Sequence, residues 1–337
     1  MNEIELDELL STPRAETVEA LRDSPGDVVV LGAGGKMGPT VARMAARAAA
    51  QVGDGRRVYA VSRFSSEAAV RALGSASIDT IVCDLLDREA VARLPDAPNV
   101  IFMAGQKFGT AAAPAMTWAM NTIVPAICAE RYRGARLVAF STGNVYPLTP
   151  AANGGARESD PVGPVGEYAA SALGRERILE FYSARNGTPV SIIRLNYAID
   201  LRYGVLADIG LRVWRDEPVP LAMGHVNVIW QGDASRIAIE SLTRAATPPF
   251  VLNVTGPETL AVRDIARSFA ESFAKTVRFT GKERAKALLS NTDRMRATFS
   301  APDVGVETMI EWVADWIRSD GPMLGKPTHF EERTGAF

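Results

Sequence analysis

The sequence predicts an α/β fold: a doubly wound parallel sheet with a smaller C-terminal lobe. Three observations carry this. Short, continuous apolar runs rich in β-branched residues recur up to about residue 195. Amphipathic or alanine-rich helical patterns separate those runs. The first run opens directly into a glycine-rich turn. Continuous rather than alternating apolar strands are buried on both faces, as in a parallel sheet covered by helices. Their βαβαβ order implies right-handed crossovers that lay helices on either side.

The elements follow in chain order. Residues 1–24, beginning MNEIELDELLSTPR, are acidic and amphipathic, and read as an N-terminal helix packed on the outside. That pattern is wrong for a secretory signal. The strands are DVVVLG (27–32), RVYAVS (57–62), DTIVC (79–83), NVIFM (99–103), RLVAFS (136–141) and PVSIIR (189–194). Between them lie helical segments such as GPTVARMAARAAAQV and APAMTWAMNTIVPAICAERY. After about residue 195 the rhythm becomes irregular, which predicts a smaller lobe over 196–320, with FVLNV (250–254) returning to the sheet. Residues 321–337 read as a polar C-terminal tail.

Bulk properties exclude several functions. Of 337 residues, 47% are hydrophobic and 23% charged, the balance of a soluble globular chain. The net charge of −2 gives no basic field for nucleic acid. The longest apolar stretches are too short to cross a bilayer, so neither nucleic acid nor membrane is expected as a partner. Cys83 and Cys128 sit in apolar runs and read as buried thiols in a reducing cytoplasm. The histidines are His225 and His329, far apart in sequence and read as exposed polar groups. A histidine-based metal site is not expected, and a Ser-His-Asp hydrolase is disfavoured.

The glycine turn, VVVLGAGGKMGPTVARMAAR, places Gly32, Gly35 and Gly38 at G-x-x-G-x-x-G spacing, with Gly34 beside them. A phosphate needs bare backbone N–H groups and the positive end of a helix. A tight turn needs positive φ, and close backbone approach forbids a Cβ; glycine meets both demands. Pro39 suits the first helical turn, where its missing N–H costs nothing. Between a buried strand and a helix, this spacing indicates dinucleotide binding of the Rossmann kind over residues 25–195. Lys36 and Met37 lie inside the turn. At the end of the second strand, an acidic residue would bind the ribose hydroxyls of NAD. Here that position is Ser62, followed by Arg63. A hydroxyl and a guanidinium accept a 2′-phosphate that a carboxylate repels. NADP is therefore expected, with NAD as the alternative if Arg63 is only a solvated charge.

Together these residues resemble the extended short-chain dehydrogenase/reductases, the NAD(P)-dependent epimerases and dehydratases. The likeness covers roughly residues 26 to 275. It includes the glycine triplet, CDLLD with Asp84 and Leu85, VIFMAG with Ala104 and Gly105, and Asn121 on the following helix. It continues through FSTGNVYP and EYAASALGRE to WQGDASRIAI and FVLNVTGPETLAVRDIA. The resemblance implies that Asp84 and Leu85 flank adenine, and that Ala104, Gly105, Asn121 and Ser141 line the cofactor. It implies that Thr142 polarises a substrate oxygen and that Tyr168 exchanges the proton accompanying hydride transfer. It also implies dimerisation through helices around 113–132 and 167–185, so a homodimer is expected.

One residue departs from that pattern. The family motif is Tyr-x-x-x-Lys, and the lysine position holds Ala172. A free tyrosine has a pKa near ~10, so ionising it unaided at neutral pH costs about 4 kcal/mol. Tyr168 is then handicapped as a base and already correct as an acid, which favours carbonyl reduction over alcohol oxidation. Arg175, seven residues on, reads as a surface or dimer-contact residue. Lys107, in the loop after the fourth strand, lies at the carboxyl end of the sheet where ligands bind. It reads as a replacement cation, a clamp for a substrate carboxylate, or an ordinary loop lysine.

Substrate contacts are assigned to Asn144, Arg194, Asn196 and Arg202, with Tyr203 beside them. The resemblance implies, for nucleotide-sugar substrates, an arginine that holds the diphosphate in the stretch MGHVNVIWQGDAS, and none stands there. A smaller polar carbonyl compound, a sugar or sugar acid, stands beside a nucleotide sugar as the substrate. Two function classes remain: an NADP-linked epimerase or reductase, and a nucleotide-binding sensor or scaffold that has lost catalysis. Tyr168, Thr142 and Asn144 argue for the enzyme, and Ala172 argues for the sensor.

Overall fold

The seven main strands are β1 (Val28–Leu31), β2 (Val58–Ser62), β3 (Asp79–Val82), β4 (Asn99–Phe102), β5 (Arg136–Thr142), β6 (Val190–Leu195) and β7 (Phe250–Val254). They form one sheet in the order β7-β6-β5-β4-β1-β2-β3, and every pairing is parallel. The computed structural model describes residues 1–335 except 66, 75, 76, 108, 111 and 327. Residues 250–254 return to the sheet as expected, pairing with β6 from Phe250–Ser191 to Val254–Leu195. The order reverses between β1 and β4, where such sheets open a crevice at their carboxyl ends.

Alternation along each strand sends apolar side chains to both faces. Val28 and Val30 join one core with Val58, Ile101 and Val138, under helices α2 (Ala15–Arg22) and α3 (Gly38–Val52). Val29 and Leu31 join the opposite core with Val61, Phe102 and Leu137. The N-terminal segment is two helices rather than one: α1 (Glu3–Ser11) ends before Pro13 and α2 follows. A proline disfavours helical backbone in the residue before it, which accounts for the break. α1 is also not confined to the outside, because Leu6 and Leu10 are fully buried in the core of the smaller lobe.

α4 (Glu67–Gly74) and α5 (Arg88–Ala92) follow β2 and β3. α6 (Pro114–Trp118), a π-helical turn (Ala119–Ile123) and α7 (Val124–Arg131) then run as one continuous rod. α8 (Gly166–Asn186) packs against that rod. The smaller lobe contains α9 (Val205–Trp214), α11 (Val262–Ser272) and α13 (Val306–Arg318) around a shared core. α10 (Gln231–Glu240) instead covers the sheet beside α3, and α12 (Asp293–Thr298) contacts β7. The C-terminal segment folds back: Phe330 is buried in the lobe core, and Thr328 donates from N and Oγ1 to Asp208 Oδ2 at 2.7 and 2.5 Å. Among the described residues no helix is long and apolar enough to cross a membrane.

Candidate active site

A cleft of about 990 Å³ opens at the carboxyl end of the sheet, between β1 and β4 and beneath the smaller lobe. The glycine turn forms one end of it. Gly32 has φ +89°, and a Cβ there would lie 2.5 Å from the backbone nitrogen of Ala104. A Cβ on Gly38 would lie 2.4 Å from the carbonyl oxygen of Ala33. Both glycines are required by the fold itself. Gly35 differs: a Cβ there would meet only the Gly32 carbonyl, at 3.4 Å, and the residue faces the cleft. Its bareness matters for what approaches from the cleft. With the start of α3 alongside, this turn fits the phosphates of a dinucleotide.

The expected cofactor contacts fall in two groups. Gly32, Gly35, Lys36, Met37, Gly38, Gly105 and Ser141 line the cleft. Ser62, Arg63, Asp84, Leu85, Ala104 and Asn121 do not line it. Ser62 lies beside the turn, its Oγ 2.6 Å from where a Gly34 Cβ would stand. Arg63 and Asp84 are exposed; Leu85 and Ala104 are buried, Ala104 directly against Gly32. Asn121, in the π-helical turn, is fully buried and acts as a tie. Its Nδ2 donates to Gln106 O at 3.0 Å and Ser171 Oγ at 2.9 Å; its Oδ1 accepts from Gln106 N at 3.0 Å. It thereby fixes the loop after β4 to α8.

The other end of the cleft holds the expected chemistry. Tyr168, on the first turn of α8, hydrogen-bonds through its phenol to the Thr142 side chain at the end of β5. Thr142 Oγ1 also accepts from Asn144 N at 3.2 Å and Asn144 Nδ2 at 3.0 Å. Burial raises the pKa of the phenol, opposed by the Thr142 hydrogen bond and the positive charge of Arg175. Lys107 Nζ stands 5.9 Å from the centroid of the Tyr168 ring, and Lys36 Nζ lies 3.0 Å over the ring of Tyr203. Burial lowers the Lys107 pKa to about 8. Burial, reinforced by repulsion from Lys107 and Lys326, lowers that of Lys36 to about 7.

Asn144, Asn196 and Arg202 line this end, whereas Arg194 does not. The Arg194 assignment is corrected: its guanidinium binds the fully buried Glu176, with Nη2 2.7 Å from Oε2, and donates to Tyr146 OH at 2.7 Å. Glu176 also accepts from Ser141 Oγ at 2.5 Å, so Arg194 braces the floor of the site from behind. Arg202 is held by Asp200 and Asp7, at 2.8 and 3.0 Å. Asp7 comes from α1, which therefore helps to line the cleft.

A second correction concerns Arg175. It is not a surface residue but only 6% exposed, lining the cleft one face of α8 below Tyr168. Position 172 is closed: Ala172 packs with Val145, Tyr146 and Ala156. Other cleft residues escape the sequence pattern. Lys326 and His329 arrive on the returning C-terminal segment, and Arg43 and Gln231 come from α3 and α10. Their only sequence signal is polarity, which does not predict which surface a segment covers. His329 is exposed as expected, yet it borders the cleft.

A family model described as the NAD dependent epimerase/dehydratase family matches residues 28–198, more than half of the chain. A comparison with curated protein sequences finds no match. Among solved structures, the chain is similar to the UDP-glucose 4-epimerase of Thermus thermophilus in complex with NAD, at 21% identity and TM-score 0.70, covering 87% of this chain and 99% of that one. The UDP-glucose 4-epimerase of Thermotoga maritima with UDP-glucose gives 16% identity, TM-score 0.70, and the same coverage. The dTDP-glucose 4,6-dehydratase of Streptomyces venezuelae gives 17% identity and TM-score 0.72, covering 87% and 97%. At these identities the likeness speaks for the fold.

Proposed function

We propose a function from one premise: this chain belongs to the NAD dependent epimerase/dehydratase family. It binds a nicotinamide dinucleotide across the glycine turn and carries out proton-coupled redox chemistry on a polar carbonyl compound. One observation carries this reading: the bare turn at Gly35 and the Tyr168–Thr142 hydroxyl pair face the same cleft. When bound, the reduced dinucleotide supplies a hydride to the substrate carbon. Gly32, Gly35 and Gly38 hold its phosphates. The second strand ends on Ser62 and Arg63 rather than on a carboxylate, which supports NADP over NAD.

Thr142 orients the substrate oxygen and Tyr168 donates its phenolic proton to that oxygen. Burial raises the phenol's pKa, so at neutral pH it is the acid form that waits in the site. The reaction direction that uses this form is carbonyl reduction. Lys107, beside Tyr168, and Lys36, over the ring of Tyr203, bind a negative group on the substrate. That chemistry fits a sugar acid or a phosphate-bearing sugar, and a nucleotide sugar such as those in the similar structures is the larger variant. Two copies pair through the faces of α6, α7 and α8.

The closed packing around Ala172 favours a second reading, a nucleotide-binding protein without turnover. Calorimetry with NADP(H) and NAD(H), followed by nicotinamide absorbance with a panel of carbonyl substrates, separates the two. The enzyme reading expects binding, turnover, and a fall in kcat of about 10²–10⁴-fold in Tyr168→Phe. Binding with no turnover across a broad panel selects the second reading. No binding of either nucleotide removes both.

A further inference from the structure

We propose that Arg175 is the positioning cation of the Tyr168 phenol, set two helical turns deeper in α8 because position 172 is closed to any charged side chain. The inference rests on Tyr168 being the proton donor. It begins with helix geometry. Seven residues bring the chain back to nearly the same face of the helix, about 10.5 Å along its axis. Helical side chains lean toward the N-terminus, so a long side chain at 175 reaches back toward the turn that bears Tyr168. A side chain at 172 begins inside the packed cluster of Val145, Tyr146 and Ala156.

The guanidinium is held in place, not merely near. Arg175 Nη1 donates to the Phe140 carbonyl and Nη2 to Asn121 Oδ1, each at 2.6 Å. Gly105 makes the room: a Cβ there would stand 2.2 Å from Nη2. Nε is buried without a hydrogen-bond partner, in a side chain more than nine-tenths buried in the cleft wall. The positive charge of Arg175 acts on the phenol, while the neighbouring carboxylate, Glu176, which faces it electrostatically, spends its hydrogen bonds on Arg194 and Ser141.

The other charged groups around Tyr168 cannot do this when the phenol ionises. Lys107, from the β4 loop, has its pKa lowered to about 8, and Lys36, beyond Tyr203, to about 7. A phenol titrates above both, near ~10 even when free. Tyr203, before α9, is itself a phenol raised by burial. Burial lowers the pKa of Arg175 as well, but from a much higher starting value, so in that range the guanidinium alone of this set is still charged.

Phenolate absorbance of the ligand-free protein tests the proposal, with Tyr168→Phe subtracted to isolate the Tyr168 step. Arg175→Gln keeps a donor for Phe140 O and removes the charge. The Tyr168 midpoint is expected to rise by at least about one pH unit in Arg175→Gln. It is expected to stay near the wild-type value in Lys107→Met, and to rise in Arg175→Lys as in Arg175→Gln, because a lysine buried at that position loses its proton before the phenol does. An unchanged midpoint in Arg175→Gln overturns the proposal, whatever happens to stability or binding. Should that variant fail to fold, Gly105→Ala gives the same readout, because its methyl displaces Nη2; an unchanged midpoint there overturns it equally. Turnover plays no part in this measurement, so loss of the enzyme reading and loss of this inference are separately visible.

Discussion

At the scale of single residues, the site is a balance between burial and charge. Lys36 and Lys107 both have pKa values below the ordinary lysine value, because burial penalises the ammonium. The sign follows: each is charged below its lowered pKa and neutral above it, so the positive charge that these two lysines give the cleft fades between about 7 and about 8. Binding of an anion therefore weakens as pH rises through that window. Inhibition by sulfate, whose charge is constant from pH 6 to 9, is expected to weaken by about tenfold over that range, the worth of one charge-assisted contact. Lys36→Met with Lys107→Met should flatten the curve; a slope that survives both substitutions assigns it elsewhere. Stability moves the other way: the folded chain binds fewer protons than the unfolded one above these values, so the strain of burying the ammoniums eases with rising pH. Lys107 is legible from its place after the fourth strand. Arg175 is not, because spacing along a helix locates Cα atoms, and here the side chain's backward lean decides the contact. Arg194 is misplaced by its motif position, which says nothing of Glu176, eighteen residues earlier and fully buried against it.

At the scale of elements, the glycine turn is the most legible piece, because the residue type states its own physical reason. The structure divides the three glycines by what each one's bareness is for. Gly38→Ala forces a methyl to 2.4 Å from the Ala33 carbonyl, and should cost the apparent stability about 1–3 kcal/mol. Gly32→Ala adds the strain of φ +89° to a contact of 2.5 Å and should be no milder. Gly35→Ala meets ordinary contact only, so its melting temperature should match that of the unsubstituted chain while its dinucleotide affinity falls at least about tenfold. Thermal melts paired with calorimetry check the split. Equal loss of stability in all three would mean that Gly35 serves the turn and not a ligand. The strands are equally plain, since apolar runs buried on both faces admit few other readings. The N-terminal helices are half legible: their amphipathic pattern is visible, but not that Leu6 and Leu10 enter the far lobe and carry Asp7 to Arg202. Those contacts join segments about two hundred residues apart, and no local pattern encodes them.

At the scale of the whole molecule, the two chain ends fold across one cleft while a different face keeps its apolar groups in water. Met116, Trp118 and Ile123 on the α6–π–α7 rod, and Phe181 on α8, are all exposed. Gly174 packs on Thr122 and Trp118, and Phe181 follows it by one heptad on α8, so rod and helix share a surface. Large exposed apolar residues clustered on neighbouring helices are costly for a monomer and mark an interaction face. A second copy is the occupant that symmetry supplies most readily, because two such helix pairs stack about a two-fold axis as a four-helix layer. Sedimentation equilibrium should therefore show a dimer at micromolar concentration. Ile123→Glu combined with Phe181→Glu should give a folded monomer with an unchanged circular dichroism spectrum. A monomer in the unsubstituted chain, or a dimer that tolerates both charges, would remove this face from the interface. The same rod carries Asn121 on its π-helical turn, gripping Gln106, Ser171 and Arg175. Pairing would thus steady the helix that holds the proposed cation, and the monomeric variant should shift the Tyr168 titration in the same direction as Arg175→Gln, by less.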